Sequence, residues 1–302
     1  MAQSPLNYTG GKFKLLPQIL HRFPQDIHTF VDLFCGGGDV GTSVPCENVL
    51  FNDIDSNVTG ILHAFKALQK EETIQFIQNT IAQFHLSDSS TNGYAFYNCD
   101  SGKGLGDYNR EPFKNLKDYF NNLERRDYHY YVLLYVVIVY SFNNQIRFNK
   151  QGKFNLPVGK RDFNTKMQSK LSAFIDRLQE MDCEFSNADF RQINIDQLEE
   201  RDFVYADPPY LITCATYNEQ GGWNEELERA LYQYLDDLHA HHIRFALSNV
   251  LSSKGRVNTI LQEWLAQNAQ YNCLHLNYNY SNSSYHTTDR TTGSDEVLII
   301  NY

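Results

Sequence analysis

The residues with the most chemistry to offer are Asp207-Pro208-Pro209-Tyr210, which follow the apolar run Phe203-Val204-Tyr205-Ala206. Two consecutive prolines fix the backbone and delete two N–H donors. What stays is a rigid set of acceptors, the Asp207 carboxylate and the Pro208 carbonyl. Such a set suits an aniline-like exocyclic amine, a poor nucleophile because its lone pair is delocalised into the ring. Accepting hydrogen bonds from both N–H groups draws the nitrogen toward tetrahedral geometry and restores that lone pair. The amine is then aligned for in-line attack on a sulfonium methyl group. Tyr210 adds a ring on which a base flipped out of a duplex can stack. An ordinary strand-ending turn would account for Asp-Pro-Pro alone, but not for the tyrosine and a glycine loop upstream.

That loop is Gly36-x-Gly38-x-x-Gly41, placed directly after the apolar run Thr29-Phe30-Val31-Asp32-Leu33-Phe34. Asp53 stands 17 residues after Gly36, at the end of a second short apolar run. Glycines let the backbone approach a ligand closely, and an acid at the end of the next strand accepts hydrogen bonds from ribose hydroxyls. The pattern therefore specifies a nucleoside cofactor and leaves open which one, a dinucleotide or an adenosyl sulfonium. An oxidoreductase has no role for Asp207 to Tyr210. A second glycine turn, Tyr8-Thr9-Gly10-Gly11-Lys12, is expected to open a helix. Helix N-termini favour carboxylates, and Lys12 could pair with the carboxylate of an aminoacyl cofactor.

The elements that must position these residues alternate between strand and helix. Strands are expected at 29–34, 48–52, 183–185, 202–206, 244–248 and 296–300. Their continuous apolar character is that of strands buried on both faces of a parallel sheet. Helical spacing covers 57–84, about 113–140, 167–181 and about 224–241, and residues 87–111 read as a long polar loop. The fold class expected is α/β, a Rossmann-like doubly wound sheet with an inserted, mainly helical lobe. Residues 1–57 and 166–302 would form the cofactor-binding catalytic domain, and residues 58–165 the inserted target-recognition domain.

Bulk properties narrow the classes further. The chain has 302 residues, enough for one sizeable core and a smaller second lobe. Net charge is −10, yet residues 103–170 carry 13 Lys and Arg against 6 Asp and Glu. That stretch has a balance of +7 and the remainder −17. An acidic body with one basic stretch is compatible with a nucleic-acid partner, and a solvated helical face would give the same bias. The six cysteines form no CxxC pair, which argues against a zinc site or a disulfide framework and for a reducing compartment. No signal-peptide pattern is visible, and the most apolar run, 131–140, is too short to span a membrane. A cytoplasmic protein without metal is expected.

The ordered motifs resemble those of the Dam-like, D12-class DNA adenine-N6 methyltransferases, over nearly the whole chain. Residues 4–12 resemble that family's N-terminal cofactor motif, with Tyr8 where many members have Trp. Residues 30–38 are similar to its methionine-side loop, and Asn52-Asp53 to its ribose-binding acid. Asp189-Phe190 falls where the family holds the cofactor adenine; Ser248-Asn249 and 295–302 complete the pattern. The resemblance implies S-adenosylmethionine as cofactor, held by Tyr8, Thr9, Gly11, Lys12, Asp32, Phe34, Gly36, Gly38, Asp53, Ile54, Asp189, Phe190 and Asp207. The catalytic residues it implies are Asp207, Pro208, Pro209 and Tyr210. Residues 142–149 and 152–160 resemble a hairpin that enters and reads duplex DNA. Asn143, Asn144, Arg147 and Asn149 would then face bases, and Lys150, Lys153, Lys160 and Arg161 phosphates. Asn143-Asn144-Gln145-Ile146 replaces the family's aromatic-Asn-Gly core. The implied partners are double-stranded DNA and a restriction endonuclease acting separately, the protein itself being a monomer or weak dimer. The tetrapeptide alone also suits cytosine-N4 methylation; motif order selects adenine. From another class, a catalytically dead DNA-binding module on the same fold would keep the lobe and lose the reaction.

Overall fold

Short apolar strands and longer amphipathic helices separate, in the computed structural model, into two compact units. The structure describes residues 1–8, 10–213, 222–277 and 293–302. One unit comprises Met1–Gly11, Gly36–Thr42 and Asp55–Phe185; the other comprises Lys12–Cys35, Ser43–Ile54 and Ser186–Tyr302.

The sheet unit begins with the short helix α1 (Leu16–Leu20), then β1 (Thr29–Asp32) and β2 (Asn48–Asn52). β1 pairs in parallel with β2, matching Phe30 to Val49 and Asp32 to Phe51. In the helical unit follow α2 (Ser56–Ala67), α3 (Lys70–Gln83), α4 (Ser89–Phe96), α5 (Arg110–Asn121), α6 (Tyr128–Tyr140) and α7 (Thr165–Glu180). β3 (Asp182–Ser186) crosses from one unit into the other. The sheet unit resumes with β4 (Phe203–Ala206), α8 (Glu225–Ala240), β5 (Arg244–Ser253), β6 (Arg256–Val257), α9 (Thr259–Gln267), β7 (Asn272–Leu276) and β8 (Asp295–Ile300). Its strands lie in the order β2-β1-β4-β5-β8-β7, parallel as far as β5, with β8 antiparallel to both neighbours. Val31, Val204, Phe245, Leu247, Val297 and Ile299 form one face of its core, packed with Leu231, Leu235 and Leu238 of α8. This mixed α/β arrangement is the Rossmann-like sheet that the apolar runs predict.

The expected helix over 57–84 breaks at Leu68 and Gln69, both extended, between α2 and α3. No glycine or proline marks that break. The expected helix over 113–140 likewise divides into α5 and α6. Tyr131 to Tyr140 is helical, and ten residues of α6 are buried. Among the described residues no helix is long and apolar enough to cross a membrane. Residues 87–111, read as loop, contain α4: Asp88 caps it by accepting from Ser90 and Thr91 N–H, and Gly93 (φ 71°) kinks it. Local side-chain capping, with no apolar stripe, makes this helix, so periodicity could not reveal it. α9, β6 and β7 had no sequence counterpart. Five cysteines are free thiols, and Cys214 lies outside the described residues.

Candidate active site

Asp207 follows directly on β4, at the carboxyl edge of the sheet where ligands of open α/β sheets bind. Its carboxylate is engaged from two sides. Lys12 Nζ lies 2.9 Å from Oδ2, and the Tyr210 hydroxyl donates to Oδ1 at 3.2 Å. The Lys12 ammonium also sits 4.8 Å above the Tyr210 ring. Lys12 is only 5% exposed and the Asp207 side chain 16%, so this pair is desolvated and geometrically fixed. Burial raises the Asp207 carboxyl above the usual carboxylate range, while Lys12 and the Tyr210 hydroxyl pull it back. Glu296 on β8 is buried too; its carboxyl is raised by burial, with Lys12 opposing and Asp207 reinforcing the rise. Behind the tetrapeptide, Tyr205 of β4 and Ser248 of β5 share a hydrogen bond of 2.7 Å. That bond ties the catalytic strand to its neighbour.

Lys12 thus pairs with Asp207 within the chain, and a cofactor carboxylate would be a second partner for it. The turn 8–12 does not open a long helix: α1 begins at Leu16 and has five residues. Thr9 lies outside the described residues.

Around the end of β2, Asn52 acts as a brace. Its amide donates to Leu33 O at 3.0 Å and Ala188 O at 3.1 Å, and its carbonyl accepts from Ala188 N–H at 3.1 Å. Asp53 N–H donates to Ser186 O at 3.2 Å, and Cys35 N–H to Asn52 O at 2.8 Å. Asp53 is thus held, nearly buried at 7% exposure, beside Ile54, whose side chain is 72% exposed. Asp32, at the end of β1, is buried. Phe34 is half-buried, its ring 5.6 Å from those of both Phe190 and Trp223. A fixed acid, exposed aliphatic surface and flat rings are what an adenosine requires, so these residues fit such a cofactor. At Asp189, the other acid expected here, Arg191 grips the carboxylate at 2.8 and 2.6 Å, and the same carboxylate accepts from Arg191 N–H to cap its own turn. The Arg191 guanidinium holds that carboxyl below its ordinary value.

In the helical unit, Gly36 (φ +46°) and Gly38 (φ +77°) adopt left-handed backbone. A Cβ on Gly36 would meet the Tyr8 ring at 2.7 Å, so glycine keeps the loop open against that ring. Gly11 N–H closes its turn on Tyr8 O at 3.1 Å. The segment 141–159 is the expected hairpin, marked by antiparallel bridges Phe148–Phe154 and Ser141–Val158. Arg147, Lys150, Lys153, Lys160 and Arg161 are exposed. Arg147 Nε donates to Asn155 Oδ1 at 2.8 Å across the hairpin. Asn143 is exposed and, like Asn144, has positive φ. Two of the expected base readers are occupied otherwise. The Asn144 amide donates to the last carbonyls of α6, Ile138 and Val139, and Asn149 Oδ1 accepts from Gln151 and Lys153 N–H at 3.0 Å, building the turn.

Sequence reasoning missed several residues. Asn121 of α5 straps the hairpin by bonding both the N–H and the carbonyl of Phe154 at 2.7 and 3.0 Å. Trp223 and Glu228 also lie outside every motif. Glu228 had a visible signal: it is an acid on the apolar face of α8, in line with Leu231, Leu235 and Leu238. Among the described residues no three His, Cys, Asp or Glu side chains group as metal ligands.

A mostly parallel sheet with an acid after β2 and Asp-Pro-Pro-Tyr after β4 defines a Rossmann-like methyltransferase. A sequence model of the D12 class N6 adenine-specific DNA methyltransferases matches residues 8–282, and the chain belongs to that family. It is 40% identical over 306 residues to the type II methyltransferase M.FokI of Planomicrobium okeanokoites, covering 99% of this chain and 43% of that protein. It is 37% identical to the modification methylase StsI of Streptococcus sanguinis, again over 99% of this chain and 43% of the relative. The DNA adenine methylase of Escherichia coli strain K12 is 24% identical over 250 residues, 81% of this chain and 79% of that one. The chain spans less than half the length of the first two relatives.

Proposed function

We propose that this chain transfers a methyl group from S-adenosylmethionine to N6 of an adenine flipped out of double-stranded DNA, within a restriction-modification setting. The observation that carries the reading is the buried Lys12–Asp207–Tyr210 cluster at the end of β4. The cofactor supplies an electrophilic methyl on a sulfonium. The chain's own residues do the rest. Asp207 and the Pro208 carbonyl accept the two amine hydrogens and orient the lone pair. Because Lys12 and the Tyr210 hydroxyl satisfy Asp207 beforehand, the amine exchanges one of these for itself, and the carboxylate is never left buried without a partner. The Tyr210 ring, freed of its hydrogen bond, stacks on the base. After the nitrogen is methylated it must lose a proton, and Asp207, whose carboxyl is raised, is a ready acceptor.

For the cofactor, Asp53 would bond the ribose, Ile54, Phe34 and Phe190 would cover the adenine, and Asp32, Tyr8, Gly11, Gly36 and Gly38 would serve its amino-acid end. Residues 1–57 and 166–302 would form the catalytic domain and 58–165 the target-recognition domain. Within the latter, exposed Arg147 and Asn143 would read bases, and Lys150, Lys153, Lys160 and Arg161 would contact phosphates. A separate restriction endonuclease is the expected functional partner, since the relatives at 40% and 37% identity are named as a type II methyltransferase and a modification methylase.

Tritiated methyl transfer into unmodified duplex DNA tests the reading, with nucleoside analysis of the product. Label in N6-methyladenine is expected. DNA retention without label would leave a DNA-binding module instead, and label in N4-methylcytosine would overturn the base assignment.

A further inference from the structure

Glu228 is fully buried, at 0% exposure. It lies one turn before Leu231 and Tyr232 on the inward face of α8, where an apolar side chain would pack at no cost. A carboxylate survives there because donors converge on it. Oε1 accepts from the Tyr232 hydroxyl, from Asn249 Nδ2 at 3.1 Å and from Asn258 Nδ2 at 3.0 Å. Oε2 accepts from the Trp223 indole N–H. The network joins β5, through Asn249, to the start of α9, which Asn258 caps by accepting from Leu261 N–H. Burying a polar network this way contributes little net stability compared with an apolar replacement. What it does supply is direction: each donor is held at one angle.

The direction matters most for Trp223. Its one polar atom is bonded to the buried Glu228, so the half-buried indole offers only carbon to whatever else it meets. Tryptophan at a water boundary ordinarily keeps its N–H on the wet side; here the arrangement is reversed. The indole adjoins the Phe34 ring, edge-on at 5.6 Å, and the Phe190 ring at 6.0 Å. Phe34 precedes the glycine loop, and Phe190 opens the turn after β3.

We infer that Trp223 is a wall of the cofactor's adenine site and that Glu228 is a positioning residue acting through it. The inference rests on the methyltransferase reading and extends it to two residues outside the motifs that carry the family resemblance. Gln cannot substitute for Glu228, because its amide nitrogen would present a donor to a ring of donors.

The test uses S-adenosylhomocysteine as probe, with binding measured by calorimetry and by intrinsic fluorescence; the chain has two tryptophans, Trp223 and Trp264. Wild type, Trp223→Leu, Glu228→Gln and the double variant are compared, with thermal unfolding followed alongside. Expected are an emission change on binding that Trp223→Leu abolishes, and affinity losses of roughly tenfold in each single variant, about what one well-placed aromatic ring contributes. The double variant should fall within about twofold of Trp223→Leu, since residues that act through one another are not additive. A Glu228→Gln protein that melts earlier yet binds the probe within about twofold of wild type overturns the positioning role, as does full additivity. Should Glu228→Gln not fold, Trp223→Leu decides: unchanged affinity overturns the wall. Failure of wild type itself to bind the probe removes the methyltransferase reading and this inference together, and is distinguished because it appears before any substitution.

Discussion

In the proposed reaction a single carboxylate would do the chemistry, and its surroundings set its pH behaviour. Asp207 acts as an acceptor only when ionised, and burial raises its pKa. Activity should therefore fall as pH drops through a value above the usual aspartate range. Lys12 opposes the rise, so Lys12→Gln should move that acid limb to higher pH; a pH profile of kcat with an unmoved limb would count against the electrostatic coupling. Asp207→Ala should cost on the order of a hundred- to a thousand-fold or more in kcat, as loss of pre-organised electrostatics does. Binding of S-adenosylhomocysteine should change only a few-fold, and activity near wild type would refute the mechanism. Asp207, Tyr210 and Asp53 were legible in the sequence because each sits where an apolar run ends, which fixes its place on a sheet edge. Lys12's partner was not legible, since the pairing joins distant segments that only the folded sheet unit brings within 2.9 Å. Glu228 was legible as an acid on an apolar helix face, but its donors, drawn from β5, the start of α9 and the residues around α8, were not.

At the scale of elements, the hairpin between α6 and α7 is built from backbone closeness more than from side-chain chemistry. Gly159 N–H donates to Tyr140 O at 2.7 Å and Phe142 N–H to Pro157 O at 2.8 Å. A Cβ on Gly159 would lie 2.3 Å from Ser141 O, a backbone atom that cannot step aside. Gly159→Ala should thus cost about 1–3 kcal/mol of stability in thermal unfolding and weaken DNA retention in a gel-shift assay, with S-adenosylhomocysteine binding unaffected. Equal loss of both would mean a general unfolding. Arg147→Ala keeps the backbone bonds of this frame but removes an exposed guanidinium and its bond to Asn155. It should relax site choice by about 1–3 kcal/mol at one base pair, visible as methylation spreading to related sites in single-molecule sequencing of modified DNA. The hairpin was recognisable from its glycines and basic residues, but the division of labour inside it was not. Asn144 and Asn149, expected as readers, also bond the end of α6 and the hairpin turn, because short amides bond nearby backbone readily.

For the whole molecule, charge is distributed unevenly: +7 over 103–170 and −17 elsewhere. Binding to duplex DNA should accordingly weaken steeply with salt. Replacing Lys150 and Lys153 by Glu should lower the slope of log K against log salt by about 0.9 for each phosphate no longer neutralised; an unchanged slope would place the phosphates elsewhere. The alternation of strands and helices made the sheet legible. The region after β5 was not, because α9 and β7 are short and weakly patterned, and they depend on the sheet for their partners. β8 lies between β5 and β7 although it follows both in the chain. During synthesis, β7 should therefore precede its pairing strand, its backbone groups open until β8 follows to pair with both β5 and β7. Closing the sheet is thus a late, long-range event, and the hazard the protein runs is an exposed strand in a crowded cell before its neighbour exists.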